Sequence, residues 1–340
     1  MVLERLHVDQ VSSPFWQARF DPVPDEMLGV LDSSLPAVNL TALADPEIEE
    51  LLLECVAGSV EAARYWQDPD EQDIGLADPR LEVALAPVAK LIAAAPAAKW
   101  WSDPVNPSKQ VYVEKREDGL IRPPVFRGAQ VVLGAWRNET TGPGTRHWGQ
   151  WVGGPWWSTP VCPFTAEDLK RYGEPLPRVA QTTRSRPGLG AVELLLEEDT
   201  FGTPAALCWP VRARAPVRIF EIDNPDHWME LVERYGIDVT GKRIAHWPMA
   251  TGVDCRWVIP DWLAVAEDYE VVHLTVNGYL TTSGRALPVD TESSTFLAGW
   301  SPDMSYWLSD VLEASGPPTL WVSEEHHPER RWRLADESVP

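Results

Sequence analysis

Positive charge is in short supply against negative in this chain. It carries 29 Lys and Arg against 51 Asp and Glu, a net charge of -22. The acidic residues are spread along the chain rather than gathered in a tail. That describes a solvated acidic surface, which repels nucleic acid and anionic membrane as partners. Cysteine is also scarce. Cys55, Cys162, Cys208 and Cys255 form no CxxC pair, and their spacing suggests neither a zinc ribbon nor a disulfide scaffold. Reduced, mostly buried thiols are expected. No apolar run approaches the roughly 20 residues that a membrane helix needs. The opening "MVLERLHVDQVSS" sets charges inside its one apolar run and does not read as a signal peptide. The expected compartment is the cytoplasm.

Several motifs are missing too. There is no GxGxxG after a strand and no GxxxxGK(S/T), which points away from Rossmann and P-loop nucleotide sites. GxSxG and HExxH are absent, and "DPDEQDIG" does not match calcium-loop spacing. No internal repeat is visible. What remains is an ordinary globular composition of 44% hydrophobic and 24% charged residues. A length of 340 residues suits one large or two ordinary domains.

The first hundred residues read as helical. "DPEIEELLLECVAGSVEAARYW" opens with Asp45 as N-cap and Pro46 at the first helical position. Ile48, Leu51, Leu52, Cys55, Val56, Val60 and Ala63 then recur at helical spacing as one apolar face. "DPRLEVALAPVAKLIAAAP" repeats the device with Asp78 and Pro79, and Pro87 predicts a kink or break.

From about residue 110 short β-prone runs take over: "QVYVEK", "QVVLGAW", "AVELLLEE", "AALCWPVRA", "VRIFEI", "YEVVHLTVNGYL" and "STFLAGW". Helices interrupt them at "TAEDLKRYG", "NPDHWMELVERYG" and "IPDWLAVAEDY". Strands and helices do not alternate regularly, so the fold class is α+β, with a mixed, mainly antiparallel sheet region. The expected division is a helical region over residues 1–105 packed on an α+β region over residues 106–340.

Candidate chemistry centres on "HWGQWVGGPWWSTP", residues 147–160, which holds four of the 18 tryptophans. Trp156 and Trp157 offer flat faces for stacking, and Gly153 and Gly154 let a ligand approach the backbone. Upstream lies Arg127-Gly128 in "VFRGAQVVLGAW", and downstream lies Glu193 in "AVELLLEED". The order Arg-Gly, then Ser158-Thr159, then a Glu on a strand resembles the ADP-ribosyltransferase superfamily over about residues 125–200. The resemblance implies that Arg127 and Gly128 bind NAD as substrate and that Thr159 lies in its pocket, and Trp156 and Trp157 are the faces on which nicotinamide or adenine would stack. It implies that Ser158 supports the nicotinamide pocket and that Glu193 stabilises the ribosyl cation as nicotinamide leaves. The acidic residue that arginine-specific members carry two positions before that Glu is Ala191 here. Arginine is therefore the less expected acceptor, and NAD cleavage or another acceptor stays open.

His273 is a further candidate, as general base or ligand contact. Strand alternation puts Val271, His273 and Thr275 on one face, and Asn277-Gly278 suggests a hairpin turn beyond them. His326-His327, in "SEEHHPERR", reads as a polar turn. No metal is expected. Two other classes compete with an NAD-using enzyme. One is an acidic binding module of the immunity or inhibitor type, docking a basic protein partner through tryptophan anchors. The other is a metal-dependent enzyme using His147 and His273.

Overall fold

The computed structural model describes residues 46–63, 65–70, 73–74, 77–116, 123–142, 157–161, 176–196, 204–243, 246–324 and 331–335. The fold is α+β. It opens with helices α1 (Pro46–Glu61) and α2 (Pro79–Ala94) and a 3-10 turn over Pro96–Ser102. Strand β1 (Gln110–Arg116) and helix α3 (Ala129–Thr141) follow, then β2 (Ala180–Thr182), β3 (Ser185–Arg186), β4 (Gly190–Ala191) and the one-turn helix α4 (Val192–Leu195). Next come β5 (Ala205–Ala213), β6 (Ile219–Ile222), α5 (Pro225–Tyr235), β7 (Gly236–Asp238), α6 (Thr240–Arg243), α7 (Trp247–Thr251) and β8 (Arg256–Pro260). The last part holds α8 (Trp262–Asp268), β9 (Val271–Leu274), α9 (Val276–Thr282), β10 (Ala286–Pro288), β11 (Ser293–Phe296), β12 (Met304–Trp307), β13 (Leu312–Ala314), β14 (Thr319–Glu324) and β15 (Arg331–Leu334).

Among the described residues three larger sheets and the two-stranded β3–β4 hairpin make up the strand structure. The first runs β1-β5-β14-β15, with β13 also on β5, and is antiparallel throughout. The second runs β2-β12-β9-β6, with β6 and β9 parallel. The third runs β10-β11-β8-β7. A bridge between Val111 and Thr183 ties the first sheet to the second. The second sheet is buried on both faces. Val272, Leu274, Met304 and Tyr306 enter the main core with Trp228, Trp262 and Trp300. Ala180, Val271 and Trp307, in the opposite phase, pack against Leu207, Trp209 and Val211 of β5. Leu52 and Val56 of α1 and Trp100 of the 3-10 turn belong to that same main core, so the N-terminal helices and the sheets share it.

The local signals for α2, α5 and α8 act as their chemistry dictates. Asp78, Asn224 and Asp261 each accept a backbone N–H at the helix start. Helix α2 runs on through Pro87 as one element. Pro87 sits on the exposed side, where water can satisfy the carbonyl that proline leaves without a donor. The apolar stripe of α1 is narrower than its sequence suggests, because Leu51 and Cys55 are exposed while Leu52, Leu53, Val56 and Val60 are buried.

Three segments correct the sequence reading. "QVVLGAW" lies in α3, not in a strand. Its buried side chains, Ala129, Val132, Leu133 and Trp136, fall at helical spacing. "AVELLLEE" contributes only Ala191 to a strand before turning into α4. Asn277-Gly278 is the start of α9 rather than a hairpin turn, with the Thr275 hydroxyl accepting from the Gly278 amide. The helix at "TAEDLKRYG" lies outside the described residues.

Gly278 is there for space. A Cβ at this position would lie 2.0 Å from the Ile222 carbonyl oxygen, whereas one at Gly58, on the exposed side of α1, meets nothing within 4 Å. Gly278→Ala should therefore cost about 3 kcal/mol, the upper range for overpacking against a rigid neighbour. Gly58→Ala should stabilise by roughly 0.5–1 kcal/mol, because alanine loses less freedom in a helix. Urea melts of both variants test this, and equal midpoints would refute the packing argument.

Candidate functional site

Glu193 stands on α4, one turn of helix after the β3–β4 hairpin. Its neighbours Ala191 and Leu194 enter a small cluster with Val113, Ala206 and Cys208. The Glu193 side chain is buried, and its Oε2 has no hydrogen-bond partner among the described residues. Burial pushes its carboxyl up to about 7, and the positive charge of Lys115 only partly opposes this. Cys208, opposite Val113 on β5 and in the same cluster, has its thiol pushed up to about 12 by burial and by the nearby Glu193 charge. That thiol is inert at neutral pH. The cluster therefore holds a buried carboxyl group whose Oε2 lacks a partner among the described residues and which burial pushes up to about 7.

Arg127 is exposed, and its carbonyl accepts from the Arg178 amide. Gly128 takes a left-handed φ of 79° and precedes α3. The amides of Gly128 and Ala129, which a pyrophosphate would use, donate instead to the Asp310 carboxylate at 2.8 and 2.9 Å. Phe126 packs edge-on against Tyr112, and the Arg178 guanidinium lies over the same ring and donates to its hydroxyl. Tyr112 and Val113 are adjacent on β1 and face opposite ways. The Arg127 segment thus meets β1 through its Tyr112 face, and the Glu193 cluster meets it through the Val113 face.

Ser158 is buried and fully committed. Its hydroxyl donates to the Ala298 carbonyl at 3.1 Å and accepts from the Ala298 amide at 3.0 Å. Its own carbonyl accepts from the Trp262 indole at 2.8 Å. The Thr159 carbonyl accepts from the Trp136 indole, while its buried hydroxyl has no partner among the described residues. Trp157 is half-buried and donates its indole N–H to Val161. The Ser158 hydroxyl and the two backbone carbonyls thus pin this strip to the main core, and Ala298, Trp262 and Trp136 lie outside the cluster around Glu193. Trp156 and His147, with Gly153 and Gly154, lie outside the described residues.

His273 is not on a polar, solvated face. It is 1% exposed in the doubly buried second sheet. Its Nδ1 lies 2.5 Å from a Glu221 oxygen and its Nε2 3.3 Å from an Asp303 oxygen. Burial alone would lower its pKa, but the hydrogen bonds to Asp303 and Glu221 outweigh it and hold the ring above its ordinary value. As an imidazolium it donates from both nitrogens. It then has no lone pair to offer a metal ion or a substrate proton. Asp303 also accepts from Thr183 Oγ1 at 2.8 Å, the Arg184 amide at 2.9 Å and Arg184 Nε at 2.5 Å. Its carboxyl is pulled below the ordinary value by His273 and Arg184, against the pull of burial. These partners were missed by sequence reasoning. Glu221 was findable, since it alternates in phase on a neighbouring strand. Asp303, at a left-handed turn with φ 59°, left no signal.

Among the described residues no group of three or more His, Cys, Asp and Glu is arranged to hold a metal ion. Among the same residues no tryptophan is exposed: ten are buried, and Trp66, Trp157, Trp321 and Trp332 are half-buried. No single described helix is long and apolar enough to cross a membrane. No protein-family model, curated protein or solved structure matches the chain.

Proposed function

We propose that the chain is an NAD-cleaving enzyme, transferring ADP-ribose to an acceptor or to water, with Glu193 as its key carboxylate. The observation that carries this reading is the buried, unpartnered Oε2 of Glu193 in a carboxyl pushed up to about 7. A sequestered group tuned to neutrality is the signature of a working acid, base or charge stabiliser. In the reaction the bond from the ribose anomeric carbon to the nicotinamide nitrogen breaks, and its electron pair leaves with nicotinamide. The ribosyl cation left behind is stabilised by the Glu193 carboxylate. The nucleophile then adds and gives up its proton. The exposed Lys115, on the same side of β1, is the cation at hand for the pyrophosphate. In this reading Ser158 is scaffold. The free thiols of Cys55, Cys208 and Cys255 support a reducing compartment, the cytoplasm.

Because only the charged carboxylate stabilises the cation, nicotinamide release should rise as pH increases through about 7. Glu193→Gln should slow release by roughly two orders of magnitude or more while leaving NAD affinity nearly unchanged. Calorimetry with NAD and a nicotinamide-release assay across this range decide the matter. No NAD binding at millimolar concentration, or equal rates in the two proteins, ends the proposal.

A further inference from the structure

A buried row of polar side chains crosses the second sheet. Thr182, Ser305, His273 and Glu221 are cross-strand neighbours on β2, β12, β9 and β6. The charged groups facing His273 are Glu221 from β6, Asp303 from the turn before β12, and Arg184 beyond β2. Asp103 stands farther out, 3.8 Å from Arg184 and largely exposed. The uncharged members are Ser305, whose hydroxyl has no partner among the described residues, and Thr182, which donates to Gln110. With His273 protonated, two positive and two negative charges balance in the buried part of this network.

Across the row runs the strap 103–109, from the 3-10 turn to β1. Glu221 is the hinge between the two. One of its oxygens faces His273 and the other accepts the Val105 amide at 2.9 Å. Val105 is buried between the first and second sheets. The strap is also held by Arg184, which donates to the Asp103 carbonyl at 2.8 Å, and by the Pro107 carbonyl, which accepts from the Ala213 amide at 2.7 Å.

We propose that the Glu221–His273–Asp303 arrangement is a proton-controlled latch on the strap 103–109, closed when His273 carries its proton. A neutral imidazole has one N–H and cannot donate to two carboxylates. Asp303 is fully buried and fixed by Thr183 and Arg184, so Nε2 keeps its donor there. The Nδ1 lone pair then confronts the Glu221 carboxylate. Glu221 has a side chain 26% exposed and a path to water. It swings outward and releases the Val105 amide. This inference is independent of the NAD reading and of Glu193.

Hydrogen–deuterium exchange on the full chain tests it, with each rate divided by the intrinsic rate of the free peptide. Between about pH 5.5 and about pH 9, protection of the Val105 amide should fall at least roughly tenfold while Val272 and Tyr306 keep theirs. Glu221→Gln should abolish that pH dependence and leave Val105 protected. Gln offers an amide N–H to the neutral ring and still accepts from Val105. Should this variant fail to fold, the ring signals of wild-type His273 must titrate with the same midpoint as Val105 protection. The latch is overturned by constant Val105 protection in the wild type or by loss of protection in step with Val272 and Tyr306. Retained pH dependence in Glu221→Gln, or unequal midpoints, would overturn it as well.

Discussion

Glu193→Gln is expected to stabilise the chain at pH 8 by about 3 kcal/mol while changing little at pH 4.5, the largest gain any single substitution here should give. The reasoning starts from the folded carboxyl, which is pushed from 4.5 up to about 7 by burial. Between those two values the unfolded chain has released a proton that the folded chain still holds. Stability therefore falls as pH rises through this window and stays low above it. Glutamine matches the shape of the neutral acid and has no charge to bury, so its curve should be flat there. His273 acts over a different range. Its folded pKa lies above 6.5, so its contribution is full below that value and fades at higher pH in both proteins. Urea melts of wild type and variant from pH 4.5 to 8 should therefore diverge steadily up to about 7 and run parallel beyond it. Parallel curves over the whole range would show that Glu193 is hydrated or paired when folded, and would remove the basis for its proposed role. A gain in stability joined to a loss of turnover is the pattern of a residue retained for chemistry rather than for folding.

The parts of the fold legible in the sequence are those decided by local chemistry. Asp78, Asn224 and Asp261 announce their helices because each cap needs only its own next few amides. The run "AALCWPVRA" coincides with β5 because its residues suit a pleated, buried surface. The misreadings have distant causes. "QVVLGAW" becomes helix α3 with Asp310, far along the chain, accepting its first amides. Asn277-Gly278 looks like a turn, but its glycine serves the close approach of the Ile222 carbonyl. At the site, residue types were readable and partners were not. Glu193 was singled out from its order in the chain, yet its burial comes from packing of β1, β4 and β5 around it. Ser158 looked free to support a nicotinamide pocket because nothing local shows that Ala298 consumes its hydroxyl. His273 looked like a base because alternation puts it in phase with Thr275, and no pattern reveals a second buried carboxylate waiting at Asp303.

Asp303→Ala should be the most damaging single change in this chain. Asp303 is 1% exposed and accepts from Thr183, from the Arg184 amide and guanidinium, and from His273. Its removal leaves an imidazolium and a guanidinium facing each other with one carboxylate lost, and breaking a buried pair in this way costs about 3–5 kcal/mol. The backbone adds to this. Asp303 holds a φ of 59°, a conformation that alanine adopts at a cost of roughly 1–2 kcal/mol and that Asp and Asn tolerate better. A sum near 5 kcal/mol is comparable with the whole stability of many domains. Asp303→Asn keeps the left-handed turn and an acceptor for Thr183 or the Arg184 amide, and so should lose roughly half as much. The pH dependence has its own sign. The Asp303 carboxyl lies below 3.8 when folded, so its contribution is present above that value and is lost as pH falls through the folded value. Wild type should accordingly resist acid better than either variant. Coupling to His273 separates charge from strain: adding His273→Gln to Asp303→Ala should recover about 1–2 kcal/mol, because one of the stranded cations is gone. Urea and acid melts of the three variants measure all of this. If Asp303→Ala and Asp303→Asn both stay within about 1 kcal/mol of wild type, the ordinary range of a tolerated substitution, then Asp303 does not hold the buried charges together and the account of His273 as a clamped imidazolium fails with it.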